Sequence, residues 1–258
     1  SCGAEPAAEL QKEYGSCLGG AMYLVNGSRS DCLLAVGLCS RAAKRPTREL
    51  LERLKGVCAH MHATRDEYVC VYRQDAGLAI SACSDANHDV YGATTGFCVY
   101  MAGARVSAAS KRQRCITASV CFAEIVAASM CVAEMAYHIL LYEELECKEA
   151  KPAPLFVDNQ AATLIAKDPV TANNMKHVAR RHFYVREMQE LGLVRICWWH
   201  GKGNEADALT KALPKARHRS LVKNFFNLDR GLMREREEAV REAYRDPPDD
   251  VQPGGSGM

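Results

Sequence analysis

Four acidic residues, Asp85, Glu124, Asp158 and Asp207, stand where a carboxylate can do more than face solvent. Asp85 follows the apolar run Leu78-Ala79-Ile80-Ser81-Ala82-Cys83, and Asp158 follows Leu155-Phe156-Val157. Each reads as an acid at the carboxyl end of a short buried strand, where open α/β sheets place their chemistry. Glu124 falls in the first turns of the longest apolar helix, and Asp207 in the last helical stretch. Taken alone, Asp158 has a simpler role, since it or Asn159 would cap a helix over Ala161–Ala166. Neighbouring strands lie about 4.8 Å apart, so adjacent parallel strands would set Asp85 against Asp158. Carboxylates gathered in this way form an oxygen cage for a hard divalent cation, and Mg²⁺ is held by few carboxylates together with substrate phosphate and water.

The elements expected to position these acids follow from the period of the apolar residues. Residues 15–63 read as helical: Leu18, Met22 and Val25 share a face, the chain breaks at Asn26-Gly27-Ser28, and Leu33 to Ala43 forms a second helix. A third starts at Thr47 as N-cap, with Leu50, Leu51, Leu54, Val57 and Cys58 inward. At Tyr68 the period becomes strand-like. Tyr68 to Tyr72, Leu78 to Cys83, Gly96 to Met101 and Arg105 to Ala108 are expected strands, with a turn at Ala102-Gly103 and an antiparallel meander. A long helix from about Val120 to Glu146 follows. Beyond the Asp158 strand come a helix from about Lys176 to Leu191, a strand Leu193–Trp199 and a helical stretch from near Asn204. Trp198 and Trp199, being adjacent in a strand, must face opposite sides. Past Leu228 the chain becomes charge-alternating and then Pro/Gly-rich, the pattern of a solvated helix and a disordered tail.

Composition narrows the function classes. The 258 residues are 48% hydrophobic and 25% charged, as in ordinary globular proteins, with a formal charge of only +2. Any nucleic-acid binding therefore rests on local clusters of Lys and Arg. The 13 cysteines are irregularly spaced, without a C-x-x-C pair, which points to reduced thiols in an intracellular protein and away from a disulfide-linked partner, a zinc site or a redox protein. The most apolar stretch, Ala118 to Leu141, includes Glu124, Glu134 and His138, so a buried helix is expected there and no membrane association. Because the chain begins at Ser1 in mid-composition, it is expected to be a fragment of a longer protein.

Six motifs in one order resemble a known family. Ser84-Asp85-Ala86-Asn87, Ser107-Ala108-Ala109-Ser110-Lys111-Arg112-Gln113, Ala123-Glu124-Ile125-Val126-Ala127, Val157-Asp158-Asn159-Gln160-Ala161, Lys176-His177-Val178 and Glu205-Ala206-Asp207-Ala208-Leu209-Thr210-Lys211-Ala212-Leu213 are similar to the ribonuclease H domain of copia-type (LTR) retrotransposon Pol polyproteins. The resemblance runs from about Leu78 to Leu228. More loosely, Leu18 to Leu24, Arg29-Ser30-Asp31 and the helix after Pro46 resemble the segment joining the family's reverse transcriptase to its ribonuclease H.

The resemblance implies an α/β ribonuclease H-like fold, a five-stranded mixed sheet flanked by helices and preceded by a small helical module. It divides the chain into a helical segment at 1–67, a ribonuclease H-like domain at 68–228 and a charged helix with tail at 229–258. It implies cleavage of the RNA strand of RNA/DNA hybrids with two Mg²⁺ ions, Mn²⁺ substituting, in a cytoplasmic or nuclear retroelement particle and beside the reverse transcriptase portion of the same polyprotein. By motif position Asp85, Glu124, Asp158 and Asp207 would be the catalytic and metal-binding acids. Substrate contacts would come from Asn159, Gln160, Ser110, Lys111, Arg112, Lys176, His177, Arg180 and Arg181, with Arg114 nearby, although a solvated charged face is an equal reading of the basic residues. His200 is either an auxiliary to product release or a surface histidine. The chain departs from the family pattern at Asn87, His88, Gly92, Ala108 and Phe122. Those departures keep open a second function, a catalytically degenerate or domesticated remnant of the same fold that binds nucleic acid or protein.

Overall fold

The computed structural model describes residues 4–70, 72, 79–89, 92–114, 119–147, 151–159, 179–199, 203–226, 228 and 238–243. Helix α1 spans Ala4–Gly27, a 3₁₀ turn spans Ser30–Cys32, α2 spans Leu33–Ser40 and α3 spans Arg48–Ala63. The break predicted at Asn26-Gly27-Ser28 is where α1 ends. Thr47 caps α3, its hydroxyl accepting from the Leu50 backbone N–H at 3.2 Å. The second helix is shorter than its apolar pattern suggests, stopping at Ser40, whose hydroxyl donates to the Gly37 carbonyl at 2.7 Å; residues 41–44 form a turn.

One ion pair locks this module. The Arg29 guanidinium donates to both carboxylate oxygens of Asp31, at 2.9 and 2.7 Å, and also to Thr64 Oγ1 at 2.7 Å and to the Met61 carbonyl. Both side chains are buried, at 6% and 0% exposure. A buried pair of this kind contributes little net free energy when complete, because desolvation offsets attraction, but leaves an uncompensated charge when one partner is removed.

Strands β1 (Ile80–Asp89), β2 (Gly92–Met101) and β3 (Ala104–Arg112) form the antiparallel meander, and β4 (Ala153–Val157) and β5 (Val194–Trp198) complete the sheet. Among the described residues the order is β3-β2-β1-β4-β5, with β1, β4 and β5 mutually parallel. Ala102 and Gly103 both have positive φ, 49° and 73°, as a two-residue hairpin turn matched to the strand twist requires. Helices α4 (Val120–Glu144), α5 (Ala179–Glu190), α6 (Asp207–Thr210) and α7 (Lys215–Phe225) flank the sheet. This is a ribonuclease H-like arrangement, an α/β fold preceded by three helices.

Two apolar clusters lie on opposite faces of the sheet, as the period-2 alternation of strands dictates. Ile80, Ala82, Phe97, Val99, Leu155, Val157 and Ile196 pack under α4 against Cys131, Val132, Met135 and Ile139. Helix α4, 25 residues long, is apolar enough to cross a membrane by length and composition, but half of its most apolar window is buried in this core. On the other face, Cys83, Cys98, Tyr100 and Phe156 share one cluster with Leu18, Val25, Leu51 and Leu54 of the helical module and with Leu209, Leu221 and Phe225. Trp199 packs edge-on against Phe156 at 4.8 Å, while Trp198 is exposed, as adjacent strand positions require. The described cysteines are free thiols.

Two expectations are corrected. No strand forms at Tyr68, Val69, Cys70 or Tyr72 among the described residues; Tyr68 instead stacks on Phe226, with centroids 5.2 Å apart, and lies under the Arg29 guanidinium. The apolar alternation there reflects packing into a helical core, not a ladder. Strand β1 does not end at Asp85 but runs to Asp89, because Ala86 to Asp89 stay paired with Gly92 to Thr95 of β2 after β4 has stopped. The segments around Leu78 and 160–178, including the helix expected after Asp158, lie outside the described residues.

Replacing Asp31 by Asn is expected to destabilise the chain by about 3–5 kcal/mol, because the Arg29 charge stays buried without its counter-ion. Urea denaturation followed by circular dichroism measures it.

Candidate metal centre

The parallel register of β1 and β4 ends at Ser84 opposite Val157, so the next residue on each strand is an acid. Asp85 and Asp158 are thereby placed side by side by backbone pairing alone. Glu124 arrives from the first turns of α4, which Ser119 caps by accepting from the Phe122 N–H at 3.4 Å. Gln113 fixes that end of the helix: its Nε2 donates to the Ala123 carbonyl at 2.9 Å and to Thr95 Oγ1 at 3.0 Å, joining α4 to β2. Single carboxylate oxygens of Asp85, Glu124 and Asp158 lie within 4.8 Å of one another. Asp85 and Glu124 are buried, and Asp158 is half-buried.

Asp207 comes from the other side. Its helix α6 sits directly on β2 at Gly96, where a methyl group would lie 2.6 Å from Thr210 Cγ2, 2.8 Å from Leu209 Cβ and 2.9 Å from the Ala206 carbonyl oxygen. Only glycine permits that approach. The preceding residues tie the helix to the sheet: Asn204 Nδ2 donates to the Ser84 carbonyl at 2.9 Å, and Glu205 Oε2 accepts from the Tyr100 hydroxyl at 3.0 Å and the Cys83 thiol at 3.4 Å. Thr210 Oγ1 then donates to Asp85 Oδ2. Lys211 Nζ bridges Asp85 Oδ1 at 3.1 Å and Asp207 Oδ1 at 2.7 Å, and Arg217 lies 3.8 Å from Asp207 Oδ2. Asp207 thus meets Asp85 through Lys211 and stands outside the three-acid cluster.

Electrostatics follow from this crowding. Burial, then the charges of Asp85 and Asp158, push the Glu124 carboxyl up to about 9, with the Ala86 backbone and Lys211 offsetting part of the effect. Burial also raises Asp85, against the opposing pull of Lys211 and Thr210, and raises Asp158, with Asp85 adding to the effect. For Lys211, burial favours the neutral amine, but Asp85 and Asp207 outweigh it and its pKa is raised. Glu124 Oε2 is buried without a hydrogen-bond partner among the described residues. Three carboxylates gathered around this unpartnered oxygen make an all-oxygen donor set whose chemistry fits a hard cation such as Mg²⁺ or Mn²⁺.

The other sequence candidates separate into groups. Ser110 is turned inward, its hydroxyl donating to the Leu209 carbonyl at 2.6 Å. Lys111, Arg112 and Arg114 are exposed at the end of β3, Asn159 is half-buried beside Asp158, and Arg181 is half-buried on α5. Gln160, Lys176, His177 and His200 lie outside the described residues, as does the side chain of Arg180. Reading for acids alone assigned no role to Thr210, Lys211 or Gln113. The spacing of Asp207 and Lys211, four residues apart on a helix, was the available signal for the ion pair; nothing local marks Gln113, whose partners are 10 and 18 residues away.

A second group of possible ligands, Asp31, Cys32 and His60, occurs in the helical module. Its carboxylate is already held by Arg29 through both oxygens, so the charge a cation would need is spent internally.

No family model matches the chain. It is homologous to copia-type retrotransposon Pol polyproteins over 79% of its length. The retrovirus-related Pol polyprotein from transposon RE1 of Arabidopsis thaliana is 29% identical over 207 residues, which are 79% of this chain and 14% of that protein. The corresponding polyprotein from transposon TNT 1-94 of Nicotiana tabacum is 28% identical over 204 residues, 78% of this chain and 15% of that protein. A putative transposon Ty5-1 protein of Saccharomyces cerevisiae is 32% identical over 104 residues, 38% of this chain and 33% of that protein. The chain therefore spans about one seventh of the two plant polyproteins.

Two outcomes test the site. Gly96→Ala is expected to destabilise the fold by about 1–3 kcal/mol through the clash with α6, read by urea denaturation. Because the folded pKa of Glu124 lies above its ordinary value of 4.5, its contribution to stability is full below that value and is lost as pH rises towards about 9. Metal-free protein should melt at progressively lower temperature across that window, and Glu124→Gln should flatten the dependence.

Proposed function

We propose that the chain is a metal-dependent ribonuclease H that hydrolyses the RNA strand of RNA/DNA hybrids and acts beside the reverse transcriptase portion of the same retroelement polyprotein. The observation that carries this reading is the convergence of Asp85, Glu124 and Asp158, each from a different element, within 4.8 Å. Homology to Pol polyproteins supplies the context.

In this reading Asp85, Glu124 and Asp158 would hold one Mg²⁺, and a second, at Asp207 with Asp85, would have to displace the Lys211 ammonium that bridges them. Bound divalent ions would supply an activated water and stabilise the leaving 3′-oxygen of an in-line displacement at phosphorus. The protein's own contribution is positional. Glu124, pushed up to about 9 by burial and its acidic neighbours, would give up its proton when a cation is bound, so the site need not hold three anions uncompensated. Thr210 and Lys211 hold Asp85 in one orientation through one oxygen each. Asn159, half-buried beside Asp158, would meet the RNA strand, where 2′-hydroxyls distinguish RNA from DNA.

Incubation of the chain with a labelled RNA/DNA hybrid and Mg²⁺ should release RNA fragments bearing 5′-phosphates, and Mn²⁺ should substitute. Changing a residue that merely orients a ligand costs roughly 10–100-fold in affinity or activity, so Asp158→Asn, which removes a ligand charge, should cost at least that. Equal cleavage by wild type and Asp158→Asn overturns the assigned site. Hybrid binding without cleavage in either metal would instead identify a binding remnant, the reading that the closed Lys211 network between Asp85 and Asp207 favours.

A further inference from the structure

A cavity of about 560 Å³ lies where the helical module meets the sheet. Helix α1 contributes Leu24 to its wall, α3 contributes Cys58 and Met61, and β3 contributes Arg105 and Val106. Its volume falls within the range of about 300–1,000 Å³ in which small organic molecules are held. The sheet register sets it apart from the carboxylates. Arg105 opposes Tyr100, and Tyr100 opposes Ser81, four residues before Asp85 on β1. The cavity therefore stands roughly 14 Å along the strands from the Asp85 row, at about 3.4 Å per residue.

Two adjacent residues of β3 line this cavity, which a regular strand forbids because neighbours face opposite sides. The pairing explains the exception. Val99 opposes Ser107 and Tyr100 opposes Arg105, so Val106 is an extra residue in β3 with no counterpart on β2. A bulge of this kind turns a side chain away from its regular direction. Here it brings Arg105 and Val106 to the same cavity.

Arg105 is only 5% exposed, and among the described residues it has no carboxylate partner. Its Nη2 donates to the Gly27 carbonyl at a long 3.5 Å, and its Nε is buried without a hydrogen-bond partner. The other arginines at this cavity are matched: Arg29 donates to both oxygens of Asp31, and Arg65 lies 3.4 Å from Asp66. A guanidinium withdrawn from water is costly until an anion meets it. One positive charge is offset by one negative charge. Leu24, Met61, Val69 and Val106 make much of the remaining wall apolar, which suits a hydrocarbon body behind that charge. The backbone of a nucleic-acid duplex does not reach a side chain so far withdrawn from the surface.

We propose that this cavity binds a small organic monocarboxylate, with the carboxylate taken by Arg105 and the apolar body lying against Leu24, Met61, Val69 and Val106. A guanidinium presents paired donors that match the two oxygens of a carboxylate, as Arg29 shows with Asp31 in the same wall. Because the wall comes from α1, α3 and β3, occupancy ties the helical module to the sheet, and it needs no divalent metal.

The test is calorimetric titration of the full chain with octanoate, with octanol as the same body without charge and inorganic phosphate as an anion without a body. Octanoate should bind saturably and roughly tenfold or more tighter than either control, as a charge-assisted hydrogen bond requires. Arg105→Met keeps an unbranched apolar stem and drops the charge. Octanoate affinity should then fall by roughly tenfold or more while octanol is unaffected, and octanoate should raise the melting temperature of the wild type but not of this variant. Val69 is exposed at the cavity rim, so Val69→Trp should fill the space and weaken octanoate and octanol alike; it decides the matter if Arg105→Met does not fold. Equal affinity for octanoate and octanol overturns the inference, as does phosphate binding as tight as octanoate. Unchanged octanoate affinity in folded Arg105→Met, or in Val69→Trp, overturns it too. Displacement of octanoate by an RNA/DNA hybrid would assign the cavity to nucleic acid and overturn it likewise.

Discussion

Mutual repulsion among buried carboxylates is the constraint on which the structure turns. Asp85, Glu124 and Asp158 lie within 4.8 Å of one another in a region largely withdrawn from water, where each added charge raises the cost of the next. The chain meets that cost in two ways. Lys211 and Thr210 bind Asp85 directly, and burial with the charges of Asp85 and Asp158 pushes Glu124 up to about 9, favouring its neutral form. Stability is thereby linked to pH, since ionising the third carboxyl beside the other two is what the fold resists.

Everything around the cluster serves to hold it closed. Parallel pairing of β1 and β4 aligns two of the acids, while continued pairing of β1 with β2 carries the sheet past them and provides the surface on which α6 rests. Gly96 lets α6 approach closely enough for Thr210 and Lys211 to reach Asp85. The Glu205 carboxylate, buried against Tyr100 and Cys83, anchors the same turn from below. Gln113 does the equivalent for Glu124 by binding the first turn of α4.

The helical module is coupled to this assembly through shared core. Leu18, Val25, Leu51 and Leu54 belong to the same apolar cluster as Cys83, Phe156 and Leu209, so the helices before the sheet help to seat the element that carries Asp207. The buried Arg29–Asp31 pair fixes the geometry of the module itself. From that footing, Arg41 reaches β2 and donates to Thr94 Oγ1.

Much of this was legible in the chain because it is encoded locally. The antiparallel meander follows from period-2 alternation with Ala102-Gly103 at the turn, the long helix from its apolar repeat, the Thr47 cap from a hydroxyl before a helix, and the opposite facing of Trp198 and Trp199 from strand geometry. The four acids were visible as residue types in suggestive places. What the sequence could not determine were relations between distant segments. The apolar run at Tyr68 looks like a strand but packs into helices, β1 outlasts Asp85 because β2 remains beside it, and Asp207 is separated from the other acids by Lys211. Periodicity reports which face of an element is apolar, but it does not report the partner. Partner choice depends on close packing and on charge balance across the whole fold, and these exist only once β1, β4, α4 and α6 have been brought together.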